Sequence, residues 1–461
     1  MNQIDLFLKK LDDELPVGML LTDPVSLTAY GYDGSTVISR PPLAVVNVTE
    51  DSHVQTLLRL ALEFHQPIIS RGAGTGLAGG SLPDGGVVLN FASMDRIIEI
   101  ETECLMAIVQ PGVITGEFQK KVESIGFFYP PDPASLKQCT LGGNVATCAG
   151  GPRCLKYGVT REYIRGIRAI LPGGEMIEDG GKFLKSSSGY SLSQLFTGSE
   201  GTLGAVTSIT LRLIPCPETE GTALALFASI EEAAEASNHL LRSGILPSVV
   251  EFVDRTAMDC VEEVYHPGFP EKAEAFLLLE CDGSAAAVEQ DINKVIRICK
   301  EIGALEVQRA LDKADRDLLW QARRSISPSL TRIKPNKLGE DICVPRNRIV
   351  PMVRRIRDIA LMHHLRIPVF GHIGDGNLHP NIIFDMRDSE EVKRVEEAAE
   401  KIILSAAEMG GTLSGEHGIG SLKSDFLKMV MPKRNIHWLM QIKHLFDPQN
   451  IMNPGKIYDK I

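Results

Sequence analysis

The chain has 461 residues, 44% of them hydrophobic and 23% charged, with a formal net charge of −11. That length implies two or three domains. The composition excludes long intrinsic disorder, and the acidic balance excludes general nucleic-acid binding, which needs a basic face. No apolar run reaches the roughly 20 residues of a membrane helix, and MNQIDLFLKKLDDELP lacks the apolar core of a signal peptide. Nine scattered cysteines without a CxxC pair exclude iron–sulfur and zinc-ribbon spacings and fit a reducing compartment. The expected location is cytoplasmic, with peripheral membrane association only through a partner.

Residues 1–215 alternate short apolar strands with glycine-bearing loops: LAVVNV at 43–48, PIIS at 67–70, GVVLN at 86–90 and CLMAIVQ at 104–110. QTLLRLALEFH at 55–65 has the apolar spacing of a helix. Pro215-Cys216-Pro217 reads as a linker. Beyond it the pattern predicts a strand at 222–228, a helix at 230–244, strands PSVVEFVD and AFLLLECDG, a helix at 285–303 and the strand LEVQRA. This βαββαβ order predicts a ferredoxin-like unit. From about 311 onward more helix is expected, followed by two loops rich in glycine and histidine. The fold class is therefore α+β.

The segment PIISRGAGTGLAGGSLPDGGVVLN contains Gly74-x-Gly76-x-x-Gly79. A Rossmann loop must open into a helix that meets the pyrophosphate. Here Gly80, Pro83, Gly85 and Gly86 forbid one, so the segment is strand, glycine loop, strand. Successive backbone N–H groups can still form an anion-binding nest. A bare tight turn is the plainer alternative, but the density of glycine favours a ligand.

At these residues the chain resembles a known family. Arg71, Gly72, Ala73, Gly74, Thr75, Gly76 and Leu77 look like the pyrophosphate loop of the vanillyl-alcohol oxidase (PCMH-type) FAD-binding family. Some members attach flavin through a histidine in this loop. Thr75 stands in its place, which implies non-covalent FAD. YPPDPASLKQCTLGGNVATCAGG is similar to the family's second flavin stretch, with Cys148 where asparagine is common. The match continues through KYG at 156–158 and GSEGTLGAVT at 198–207. By resemblance, Pro131, Asp132, Ser135, Thr140, Gly142, Gly143, Asn144, Ala146, Thr147, Gly150, Tyr157, Gly158, Glu200, Gly204 and Val206 line the cofactor. Asn453 of IMNPGKI belongs to a tail that returns to the flavin domain. The implied domains are a PCMH-type FAD-binding domain at 1–215, a cap (substrate) domain at 216–425 and a C-terminal helical segment at 426–461.

Two later segments, VFGHIGDGNLHPNIIF and GGTLSGEHGIGSLK, are expected to place His372, His379, Glu416 and His417 in glycine-rich turns. Imidazole with carboxylate suits Zn, Fe or Mn, and Asp375 and Asn377 are candidates for orienting the ligands. Both segments resemble the metal-dependent branch that holds D-lactate dehydrogenases, D-2-hydroxyglutarate dehydrogenases and the glycolate oxidase flavin subunit. The resemblance assigns His372, His379 and Glu416 as ligands of a divalent metal and His417 as general base. It points to Arg323, with Ser327 further on, as the grip on a substrate carboxylate, and to a lysine that falls on Lys334 or Lys337. The implied reaction dehydrogenates a small 2-hydroxy acid, D-lactate or glycolate first, to the 2-oxo acid.

No iron–sulfur motif or NAD-binding unit is present, so electrons are expected to leave to an electron-transfer flavoprotein, an iron–sulfur subunit or a quinone-linked chain. A homodimer is compatible with these features. The alternatives are a redox-neutral enzyme of the alkyl-dihydroxyacetone-phosphate synthase type, a non-redox metal hydrolase, and an electron-transfer flavin subunit without its own substrate.

Overall fold

A computed structural model describes residues 2–458. The chain forms two compact units: one runs to Gly150, resumes over Val159–Cys216 and again from Glu416, and the other holds Gly151–Gly158 and Pro217–Gly415. The unit boundaries fall at 216/217 and 415/416, where the sequence reading put domain boundaries at 215/216 and 425/426.

In the first unit three short strands, Ala44–Asn47, Val87–Asn90 and Ile68–Arg71, pair in parallel, with Leu20–Leu21 antiparallel at the edge. Their near-continuous apolar character follows from burial on both faces. The helix Asp51–Glu63 starts four residues before the expected 55, because acidic Asp51 opens its first turn favourably. It buries Leu57, Leu58, Leu60 and Ala61 in a core shared with Phe7, Leu11, Ile68, Leu89 and Met452. The tail lies alongside Ile68: Ile68 N donates to Ile451 O at 2.7 Å, and Asn453 N donates to Ile68 O at 2.7 Å. A five-stranded antiparallel sheet follows, in the order Ile97–Glu101, Met106–Val109, Ala205–Arg212, Ile164–Ile170, Met176–Gly180. The helices Ser424–Val430 and Lys433–Phe446 precede the tail.

The second unit is built on an eight-stranded sheet. Four strands, Thr219–Phe227, Val249–Asp254, Ala275–Gly283 and Glu306–Arg309, stand in spatial order fourth, first, third, second, all pairs antiparallel. That is the expected ferredoxin-like arrangement. Sequence patterning missed one element, the helix Arg255–Tyr265, capped by the Asp254 side chain. The sheet continues through Val369–His372, Asn377–Phe384 and Asn336–Gly339.

Alternation sorts its residues onto two faces. One face carries Ala223, Ala225, Val250, Phe252, Leu277 and Leu279 into a large core. The other carries Leu224, Leu226, Val253, Phe276, Leu278, Phe370 and Ile383 into a smaller core with Ile326 and Leu330. Glu251, Glu280, His372 and His379 share the parity of this second set, so they too project from the smaller-core face, and all four are buried.

Candidate active site

In the first unit, functional loops meet through backbone contacts. Arg71 ends a strand and turns beneath the glycine loop, where its Nη2 donates to Tyr32 O at 2.8 Å. A Cβ on Gly74 would lie 2.2 Å from that guanidinium, and Gly74 has φ +67°, so glycine is required there on two grounds. Burial lowers the Arg71 pKa; among the described residues its hydrogen bonds go to backbone carbonyls alone. A buried cation beneath successive loop N–H groups is suited to an anion above them. Gly76 faces open space, so the loop presents bare backbone. Sequence reasoning missed the 32–34 segment: a Cβ on Gly34 would come within 2.7 Å of Thr75 O.

The stretch 140–147, read from sequence only as small residues and hydroxyls, is a helix, Leu141–Thr147. Thr140 caps it, accepting from Gly143 N at 3.2 Å. Asn144 Nδ2 donates to Thr115 Oγ1 at 2.8 Å, and Thr147 Oγ1 to Gly143 O at 3.2 Å. Gly72 and Gly142 are small for packing, since Cβ atoms there would meet Thr140 Oγ1 at 2.2 Å and Pro111 Cβ at 2.4 Å. The proline stretch is held by Gln119, whose Nε2 donates to Tyr129 O at 3.0 Å and Pro131 O at 2.8 Å. It carries Asp132 and Ser135, while Ala146 lies in the helix with Gly150 just beyond it, and Gly204 precedes the strand Ala205–Arg212, which holds Val206.

Glu200 binds the turn that follows Glu416 and His417: its carboxylate accepts from Ile419 N and Gly420 N, both at 2.8 Å. Burial pushes its pKa up to about 6, against these two bonds and the charges of Lys456 and Lys423. Asn453 clasps the same region, Nδ2 donating to Gly80 O at 2.8 Å and Glu200 O at 2.7 Å. Its Oδ1 is buried without a hydrogen-bond partner among the described residues. An orphaned acceptor beside a bare-backbone loop over a buried cation fits a polar, phosphate-bearing cofactor such as FAD.

In the second unit, His372 and His379 lie on paired strands, not in the turn between them as expected. The correction has a local cause: Gly371 lets the strands approach so closely that a Cβ there would be 2.4 Å from Asn377 O, and pairing extends to His372 opposite Asn377. As diagonal neighbours on one face, the two rings meet edge-to-face with centroids 5.1 Å apart. A nitrogen of each lies within 4.8 Å of one of the other, and both side chains are buried. Two close, buried imidazoles fit a borderline divalent cation.

His372 Nδ1 contacts Glu251 Oε1, its register partner on Val249–Asp254. Glu251 Oε2 accepts from Arg323 Nε at 2.6 Å, and the Arg323 guanidinium lies 4.5 Å from the Phe370 ring centroid. Burial works to raise the Glu251 pKa, but His372 and Arg323 outweigh it and hold the carboxyl at about 2. Arg323 sits in the last turn of Lys313–Arg324, and its Nη groups make no hydrogen bond among the described residues. Its neighbour Arg324 is exposed and pairs loosely with Asp317.

Asp341, fully buried, accepts from Asn377 Nδ2 at 2.7 Å, Ser414 Oγ at 2.8 Å and Gly415 N at 2.9 Å, and lies 3.7 Å from His379 Nδ1. Asn377 thus acts on Asp341, and Asp375 accepts from Asn377 N. Lys334 pairs with Glu391 at 3.3 Å, while Lys337 bonds Ser327 Oγ and has a pKa lowered by burial. Tyr157 and Gly158 fold with this unit, Tyr157 OH donating to Asp282 Oδ2 at 2.8 Å. Glu251 and Asp341 escaped the sequence reading. Glu251 carried a signal, an acid inside the apolar strand run VVEFV, which must find a partner when buried; Asp341, after Gly339 and Glu340, carried none.

Two family models match the chain: the FAD binding domain over residues 42–180 and the C-terminal domain of FAD linked oxidases over 216–457. The chain is 44% identical to the glycolate oxidase subunit GlcD of Bacillus subtilis, over 94% of this chain and 92% of that protein. It is 32% identical to a D-lactate dehydrogenase of Anaerostipes hadrus, covering 98% of this chain and 97% of the other. Among solved structures, substrate-bound p-cresol methylhydroxylase superposes with a TM-score of 0.84 at 17% identity, covering 99% of this chain and 97% of that one. That likeness establishes the PCMH-type fold expected from the glycine segments. The chain is a member of the FAD-linked oxidase family, a flavoprotein oxidoreductase on that fold.

Proposed function

We propose that the protein dehydrogenates a small 2-hydroxy acid, D-lactate or glycolate, to the 2-oxo acid with non-covalent FAD as first acceptor and a divalent cation, Zn, Fe or Mn, at the site. The observation that carries this reading is the buried His372–His379 pair, two neutral-capable donors on rigid strands. The names of the glycolate oxidase and D-lactate dehydrogenase relatives support the substrate class.

FAD, when bound, supplies two-electron acceptance. The cation, when held by His372, His379 and, on the motif match, Glu416, supplies the charge that makes a substrate hydroxyl more acidic. Within this assignment Arg323 binds the substrate carboxylate through its Nη edge, since Nε is committed to Glu251. Lys337 is the lysine on the substrate side, because Lys334 is engaged by Glu391. His417 accepts the hydroxyl proton on a ring nitrogen. Glu200 keeps the turn after it in place by gripping Ile419 and Gly420. The residues proposed for FAD are the loop 71–77, the stretch 131–150, the 200–206 turn and Asn453.

Electrons then leave to a protein partner or a quinone-linked chain in the cytoplasm. The word "subunit" in the name of the glycolate oxidase relative supports a partner. Among the described residues no helix is long and apolar enough to cross a membrane.

The test is anaerobic flavin bleaching. His417→Ala should stay yellow with full FAD content and lose reduction by D-lactate and glycolate by at least about 100-fold, the usual scale of a general base. Undiminished bleaching would remove His417 from the role, and full activity after verified metal removal would remove the cation.

A further inference from the structure

We propose that Glu251 and Asp341 are a matched pair of positioning residues, each backing one of the two histidines so that the His372–His379 pair is preset to receive a cation. This deepens the preceding reading and rests on it. Neither carboxylate belongs to the histidine or glutamate motifs, and neither is itself a ligand in the assignment above.

Both carboxylates are completely buried. A buried carboxylate left uncompensated is strongly destabilising, by more than a typical buried apolar side chain contributes. Leucine or valine would fill either position at less expense, so an acid here has work beyond packing. Glu251 divides its two oxygens: Oε2 takes Arg323 Nε, and Oε1 takes His372 Nδ1. With Oε2 occupied, Glu251 offers the ring one oxygen. A proton on Nδ1 leaves the lone pair on Nε2, which fixes the tautomer a metal ligand needs.

Asp341 is clamped similarly. Asn377 holds Oδ1, while Ser414 and Gly415 hold Oδ2. Its Oδ1 stands 3.7 Å from His379 Nδ1, longer than a hydrogen bond but near enough for its charge to favour a proton on that nitrogen. The two acids come from different parts of the sheet: Glu251 pairs in register with His372, whereas Asp341 lies just before the strand Ile342–Cys343, which pairs with the strand carrying His379. Arg323 already balances the charge of Glu251, whereas Asp341 is held by the neutral donors Asn377, Ser414 and Gly415 and adds negative charge beside the histidines.

A control lies on the same face. Glu280 is equally buried and bonded to Arg316, Trp320 and Thr222, but it touches neither histidine. A role in general folding would make all three acids alike; a role in preparing the histidines separates Glu280 from the others.

The experiment measures binding of Zn²⁺ and Mn²⁺ to metal-stripped, FAD-loaded protein by competition with a chromogenic chelator. Alongside it, ¹⁵N shifts of labelled histidines report the ring tautomers without metal. Glu251→Gln and Asp341→Asn are each expected to weaken metal binding by about 10- to 100-fold. They should also shift His372 or His379 toward mixed tautomers. Glu280→Gln should leave both readouts unchanged.

FAD content and far-UV circular dichroism report folding, and Glu251→Asp, which keeps the charge and withdraws the oxygen, replaces any glutamine variant that does not fold. Wild-type affinity and tautomers in both variants, or equal losses in the Glu280 control, would overturn the proposal and leave the cation reading standing. Wild-type protein that binds neither metal would overturn both.

Discussion

Asp254 offers a quantitative test of how this fold handles a buried charge. It ends the strand Val249–Asp254, and its Oδ1 accepts two backbone N–H groups, from Ala257 at 2.9 Å and Val369 at 3.0 Å. Oδ2 is buried without a hydrogen-bond partner among the described residues. Burial therefore raises the pKa from 3.8 to about 6, the two N–H bonds and Arg357 recovering only part of the difference.

The sign follows from proton counting. Between pH 3.8 and about 6 the folded protein holds a proton that the unfolded chain has released, so stability falls as pH rises through this window and is level above it. The gap of roughly two pH units, at about 1.4 kcal/mol each, is about 3 kcal/mol. Asp254→Asn keeps the accepting oxygen and puts an uncharged group at Oδ2. The assay is urea unfolding from pH 4 to pH 7, followed by tryptophan fluorescence. Trp320, half-buried in the second unit, reports that unit's unfolding, whereas Trp438 is largely exposed already. Wild type should lose about 2 kcal/mol more than the variant over this range, the rest of the change lying below pH 4. Parallel profiles would refute the reasoning, because every other carboxylate is common to both proteins.

Two further substitutions probe the turn that carries His417. Gly420→Ala puts a Cβ 1.9 Å from Ala78 O at φ +53°, so the overlap and the left-handed backbone together should cost about 2–5 kcal/mol. The expected readout is a lower Tm with faster proteolysis beyond residue 416, and an unchanged Tm would mean that this close approach is not needed. Asn453→Ala orphans the buried Glu200 O, at about 1–3 kcal/mol, and the part-buried Gly80 O at less. FAD retained through gel filtration should drop, and wild-type retention would show that the clasp does not shape the cofactor loop.

Local chemistry explains what the sequence alone made legible. The glycine and proline pattern of 67–90 ruled out a Rossmann helix, because Pro83 and the paired glycines act through backbone sterics that no tertiary context reverses, and the strands flank a helix-free loop. The short apolar runs in PSVVEFVD and AFLLLECDG were enough to read as strands, while their two buried faces emerged only with the sheet. The identities of His372 and His379 were legible from motif spacing. Their setting was not: GHIGDGNLH reads as a glycine loop, and strand pairing across Gly371 converts its ends into a hairpin. The helices Leu141–Thr147 and Arg255–Tyr265 were also missed. The first is too glycine-rich for propensity to reveal, and the second is nucleated by an Asp254 cap that the strand pattern had absorbed.

Residue types and their order were thus enough to indicate the flavin fold, because glycine, proline and short apolar runs act over a few residues. Only the tertiary structure decided which acids stand behind the histidines. Glu251 is 121 residues from His372, and a buried charge finds its partner across strands through the cost of leaving it unpaired, which no local pattern encodes.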